Sequence, residues 1–413
     1  MRVPRWSPRR TVVWLAPAIA IFIVVAAVGC GSSFVSSYVP CSTPQRHFDL
    51  KGAQHGPPSL LGVAPARTVS VLFAEGRSGI VYVSRSHGST WQRFGRGVEG
   101  VPCSLVSLDP TRPNLMFATN GDQLARTDDA GMHWTTLKFP GSARATSVAI
   151  APSDGRIIYA WGFYGAHGGL TPGPPPGGLF RSSDAGVTWK RIATYEPNAV
   201  AIAPSAPGTL LVTTEGGLYE TTDGGRDWKT LQKDLPHPYG NPDYYDAVAI
   251  SATASSGAFV DGQSDRQMGT GTYDGQFTSI VFHTANGGLH WSPSLRLINT
   301  YDIVFAPSSS TVAYVTGDQS NPDHTAATRL HLFRTDDAGQ HWIAYTGRAP
   351  APSADQRREV RPKSSTVQQL FVDPDAPSTL YAETSDGQLA RSPNGGKTWT
   401  LLPPLPDQPQ RSG

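Results

Sequence analysis

The chain has 413 residues, with 34 Lys and Arg against 32 Asp and Glu and a formal net charge of +2. That balance leaves no whole-molecule field to hold a polyanion and argues against nucleic acid as a partner. Hydrophobic residues at 38% are too many for a disordered chain, while 43 Gly and 36 Pro interrupt helices and favour many short strands joined by turns.

At the amino terminus, Arg2, Arg5, Arg9 and Arg10 precede an uncharged stretch of 19 residues, 11–29. A helix of that length crosses a hydrocarbon core of about 30 Å. The positive-inside rule places the arginines in the cytoplasm and the rest of the chain on the extracytoplasmic side of a cell membrane. Residues 1–30 are therefore read as a signal anchor or a lipoprotein signal. The second reading rests on Ala27-Val28-Gly29-Cys30, similar to a bacterial lipobox with Cys30 as the lipidated residue, although Ala27 stands where Leu is usual. In an oxidising space the other two cysteines, Cys41 and Cys103, are expected to form a disulfide. Residues 31–58, rich in Ser, Pro and Gly, read as a linker, and 403–413 as a disordered tail.

Between these ends one pattern recurs, Ser/Thr-x-Asp-x-Gly-x-x-Trp. It is seen with Asp129, Gly131 and Trp134, with Asp184, Gly186 and Trp189, with Asp223, Gly225 and Trp228, and with Asp337, Gly339 and Trp342. Two variants carry Asn, as Asn286, Gly288 and Trp291 and as Asn394, Gly396 and Trp399; the first copy has Ser86 at that place and ends at Trp91. The tryptophans are about 51 residues apart, the length of a propeller blade of four strands. An Asp or Asn accepts backbone N–H bonds two residues on, and the following Gly takes positive φ, so the pair makes a tight reversal. The Trp then opens the next strand and buries its ring against the sheet. The expectation is an all-β fold: a seven-bladed propeller over 59–402, preceded by one amino-terminal helix. Blade three is read as strands 145–151, 156–160, 178–182 and 189–192. The ring is expected to close by packing blade one on blade seven, with 47–50 as a candidate added strand.

The repeat resembles the BNR or Asp-box repeat of sialidases, sortilin-type receptors, xyloglucan-cleaving glycosidases and photosystem II assembly factors. That resemblance implies the propeller and leaves the function open, because those families share a fold and differ in what they do. Sialidases carry an Arg-Ile-Pro motif, and none occurs over 59–100. Arg126, Arg181, Arg334 and Arg391 all immediately precede the Ser or Thr of a repeat, so repetition explains them better than a substrate-binding arginine triad does. His133, His290 and His341 likewise share one repeat position, and no metal site or cofactor is expected.

Function is then sought in the parts that do not repeat. Long second-to-third-strand loops are expected at 162–177, 261–278 and 317–329, and long crossovers at 233–246 and 348–366, all on the end opposite the repeated turns. Candidate binding residues there are Phe163, Tyr164 and His167, then His237, Tyr239, Asp243, Tyr244, Tyr245 and Asp246. Asp265, Arg266, Tyr273, Asp274, Asp323 and His324 complete the set, beside Asp261 and Asp318. Rings beside carboxylates suit sugar faces and hydroxyls, and they also suit protein surfaces. The functional expectation is a membrane-anchored, non-catalytic binding or assembly module for a protein or glycan partner. The alternative is a glycoside hydrolase of the exo-sialidase kind.

Overall fold

The computed structural model describes most of residues 59–406. Outside that description lie several loops, chiefly 65–70, 97–104, 163–176, 236–243, 252–256, 266–276, 320–328 and 346–366. Within 1–58 only strand pieces of two residues are described. The expected helix over 11–29 thus lies largely outside the described residues, and the pieces described within it, Val24–Val25 and Val28–Gly29, are extended. Among the described residues no helix is long and apolar enough to cross a membrane. Cys30, Cys41, Cys103 and the 47–50 strand also lie outside them.

Seven four-stranded antiparallel sheets follow one another along the chain, each with its strands in sequence order. They span 59–96, 105–137, 147–193, 199–230, 244–297, 299–345 and 367–401. The fold is therefore all-β, a propeller of seven blades. The strands of blade three, Ser147–Ile150, Ile158–Gly162, Gly178–Ser182 and Lys190–Ala193, lie within about two residues of the expected ones.

Seven hydrophobic clusters hold the ring together, one in each seam between neighbouring blades. Tyr159, Trp161 and Val212, for example, join blades three and four, and Leu72, Tyr82, Phe371 and Tyr381 join blade one to blade seven. Blade one is made wholly from 59–96, so the ring closes by side-chain packing and not by strand exchange.

The repeated turn is built as its residues dictate, with one correction. In blade two, Thr127 Oγ1 donates to Asp129 Oδ1 (2.7 Å) and accepts from the N–H of Gly131 (3.0 Å), and Asp129 Oδ1 accepts from the N–H of His133 (2.9 Å). The same bonds recur around Asp184, Asp337 and Asn394. The glycine of each repeat has φ between 79° and 94°. The tryptophan, however, does not merely fix the turn to its own blade. Each ring packs in the seam with the preceding blade: Trp342 Nε1 donates to Ser294 Oγ (2.7 Å) and Trp228 Nε1 to the Ile192 carbonyl (3.0 Å). A Cβ on Gly339 would meet Phe259 of that same preceding blade at 2.6 Å, so the glycine is needed for closeness as well as for φ. The motif is a staple between blades.

Candidate functional site

The antiparallel order of each blade sets the start of its first strand and the end of its second at one end of the propeller, opposite the repeated turns. On blades five, six and seven that end differs from its counterpart on blades two, three and four. The first strands, Tyr244–Ile250, Asn299–Phe305 and Val367–Val372, each carry a β-bulge at the same register, at Asp246, Tyr301 and Gln368. The first strand of blade one is bulged at Leu61, and those of blades two, three and four pair without a bulge. A bulge inserts one unpaired residue and turns the strand, a device common beside functional sites.

The strands here are also longer than expected. In blade five Ala258–Asp265 pairs with Phe277–Thr284 without interruption from Ala258 opposite Thr284 to Asp265 opposite Phe277. In blade six Ala313–Gln319 and Arg329–Thr335 do the same. Tyr244, Tyr245, Asp246, Asp261, Asp265 and Asp318, expected in loops, are therefore strand residues, because pairing continues as far as a partner strand is present on both sides. Sequence reasoning shortened these strands by treating their polar ends as loop. Phe163, Tyr164, His167, His237, Tyr239, Asp243, Arg266, Tyr273, Asp274, Asp323 and His324 lie outside the described residues.

Directly beneath the bulges lies a belt of buried polar side chains that sequence reasoning missed. In the seam between blades five and six, Asp261 is fully buried, and its Oδ1 accepts from Ser279 Oγ and from Thr300 Oγ1 (3.2 Å). In the next seam Asp302, 1% exposed, accepts the N–H of Leu370 through Oδ2 (3.0 Å). In the seam that closes the ring Glu383 Oε2 accepts the N–H of Leu60 (3.4 Å). The bulge at Tyr301 makes this possible in blade six. Residues two apart on a strand face the same side, yet Thr300 reaches back to blade five and Asp302 forward to blade seven. Burial holds the Asp302 carboxyl well above the usual carboxylate range, against the backbone N–H bond from Leu370 that pulls it down. The only signal in the sequence was an acidic residue inside an apolar strand, as in Tyr301-Asp302-Ile303-Val304-Phe305.

The other end is structural chemistry. Arg126 Nη1 donates to the Ala185 carbonyl (2.9 Å) and Arg334 Nη1 to Ser378 Oγ (3.4 Å), each on the following blade, so these repeated arginines clip seams. His133 and His341 each hold the aspartate of their own turn, with Nδ1 2.7 and 2.6 Å from Asp129 and Asp337 Oδ2. Those bonds and the backbone N–H donors hold Asp337 down at about 2. Among the described residues no group of three or more His, Cys, Asp or Glu could hold a metal ion.

No protein-family model matches the chain. It is similar to a xyloglucanase of Paenibacillus sp., 25% identical over 328 residues that make up 74% of this chain and 26% of that protein. It is similar also to xyloglucanase Xgh74A of Acetivibrio thermocellus, 26% identical over 289 residues, 57% of this chain and 31% of that protein. The chain thus spans about a quarter to a third of the length of these curated relatives. Among solved structures the GH74 xyloglucanase of Xanthomonas campestris superposes with a TM-score of 0.58 at 14% identity, over 85% of this chain and 55% of that one. An oligogalacturonate lyase in complex with manganese (0.53, 11% identity, 84% and 90%) and YCF48 bound to D1 peptide (0.50, 12%, 82% and 94%) share the fold. The expectation of a non-catalytic module is overturned by the curated relatives, both named for cleaving a glycan. Its physical source is plain: the repeats that dominate the sequence are scaffold and carry no record of catalysis. By these comparisons the chain is a seven-bladed propeller with xyloglucanase relatives.

Proposed function

We propose that this chain is a glycoside hydrolase acting on a xyloglucan-type glycan, with the loop-rich end of blades five to seven as its sugar-contacting face. The observation that carries this reading is the similarity to two xyloglucanases over 289–328 residues. It favours a glucan-cleaving activity over the exo-sialidase form. Glycosidic hydrolysis takes two carboxyl groups, one donating a proton to the leaving oxygen and one acting as base or nucleophile. Asp246, at the bulge of blade five, and Asp265 and Asp318, near the ends of second strands, are the aspartates that the extended strands bring to this end. Tyr244 and Tyr245, in the first strand of blade five, are aromatic residues at this end, of the kind that stack on sugar faces.

The same proposal assigns the repeated turn to the Asp-box type, on its spacing and its hydrogen bonds. It places the propeller outside a cell membrane, tethered through 11–29 or Cys30, with Cys41 bonded to Cys103.

The test is release of reducing ends from xyloglucan by the full chain, alongside Asp246→Asn, Asp265→Asn and Asp318→Asn. At least one variant is expected to lose about 10²–10⁴-fold in rate while melting like the parent. A folded full chain that releases no reducing ends from xyloglucan overturns the proposal.

A further inference from the structure

We propose that the seam between blades six and seven holds one buried water molecule, bound between Oδ1 of Asp302 and Oγ1 of Thr316 beneath the bulge at Tyr301. The site is independent of the glycan reading.

Asp302 and Thr316 are paired across the first and second strands of blade six. Their Cβ atoms therefore stand about 5 Å apart on the same face of the sheet, the face turned to blade seven. Both residues are enclosed, at 1% and 0% exposure. Neither Asp302 Oδ1 nor Thr316 Oγ1 has a hydrogen-bond partner in the protein. A buried polar atom left unpaired is costly, and here two of them belong to paired residues on one face of the sheet. That geometry suits a bridging water, which needs two to four polar partners and finds a hydroxyl and a carboxyl group in place. The carboxyl's other oxygen is already engaged by the Leu370 N–H.

Blade four supplies the contrast. Thr213 is the counterpart of Thr316, and its Oγ1 accepts the N–H of Ala199, the residue opposite it, at 3.0 Å. Blade four has no bulge, whereas the bulge at Tyr301 shifts the backbone that would satisfy Thr316. In the seams on either side, Asp261 and Glu383 accept hydrogen bonds from the adjoining blade. The blade six pair alone among these three leaves matched vacant valences on both residues.

A crystal structure of the full chain that resolves ordered solvent tests the site. The expected result is density for one water within about 3.2 Å of both atoms. In Thr316→Val the water is expected to be lost with the Leu370–Asp302 bond retained, and the melting temperature to fall by roughly 2 °C; Thr316→Ser is expected to keep both water and melting temperature. A dry seam in which Asp302 bonds Thr316 directly, or a parent and Thr316→Val that share the same density there, overturns the proposal. Should Thr316→Val fail to fold, the density in the parent and in Thr316→Ser decides.

Discussion

The hydroxyl of Tyr381 in blade seven lies 2.8 Å from Nδ1 of His87 in the first repeated turn, and this bond helps close the ring. Elsewhere the equivalent tyrosine donates to a proline carbonyl of the next blade, as Tyr159 does to Pro207 and Tyr314 to Pro377, both at 2.7 Å. The closing seam thus places a titratable side chain where those two seams use backbone. Burial and the Arg391 guanidinium hold His87 below its ordinary 6.5, against a smaller opposing pull from Asp373. The unfolded chain then binds the proton more readily than the folded one. Stability from this group is complete above the unfolded value and is lost as pH falls through the folded one. Between about pH 8 and about pH 5, His87→Gln is expected to lose less in melting temperature than the parent. Equal losses in the two proteins would sink this account.

The repeated turn rests on a buried hydroxyl as much as on its aspartate. Thr335 is fully buried; its Oγ1 donates to Asp337 Oδ1 and accepts from the N–H of Gly339, each at 2.8 Å. Thr335→Val keeps the shape and strands the Gly339 N–H, at an expected cost of about 1–3 kcal/mol. Thr335→Ser is expected to stay close to the parent, since Ser84, Ser182 and Ser392 hold the same position in other blades. Denaturant midpoints at a constant m-value measure both. A valine variant indistinguishable from the parent would show that the turn holds without this bond.

The scaffold was legible because its chemistry is repeated: Asp129, Asp184 and Asp337 each need a hydroxyl two residues before and a glycine two residues after, and that spacing survives in plain sequence. The role of Trp342 as a staple to the preceding blade was not legible, because periodicity locates a residue within its repeat and is silent on which neighbour it meets. Asp302 was hidden for a different reason. A single acid within an apolar strand has no period, and its partner, the Leu370 N–H, lies 68 residues away. Asp246 and Asp265 occur in no motif; the long insertions assigned them to this end, but that they lie in strands and not in loops depends on how far the blade five hairpin extends.

Asp302 yields a prediction opposite to the usual one for a buried acid. Its carboxyl is raised well above 3.8 by burial. The unfolded chain releases the proton near that ordinary value, whereas the folded chain keeps it. Each increment of pH between the two values then favours the unfolded state, so the residue's contribution is full below the unfolded value and is lost as pH climbs toward the folded one. Asparagine carries no such proton. Its amide oxygen can accept from Leu370 as Oδ2 does, and its NH₂ can donate on the side toward Thr316, directly or through the proposed water. Asp302→Asn is therefore expected to melt above the parent near about pH 8, with the gap closing toward about pH 4. A variant that melts below the parent throughout that range would mean that Asp302 is ionised and held by a counter-charge, and would remove the neutral acid from the blade six seam.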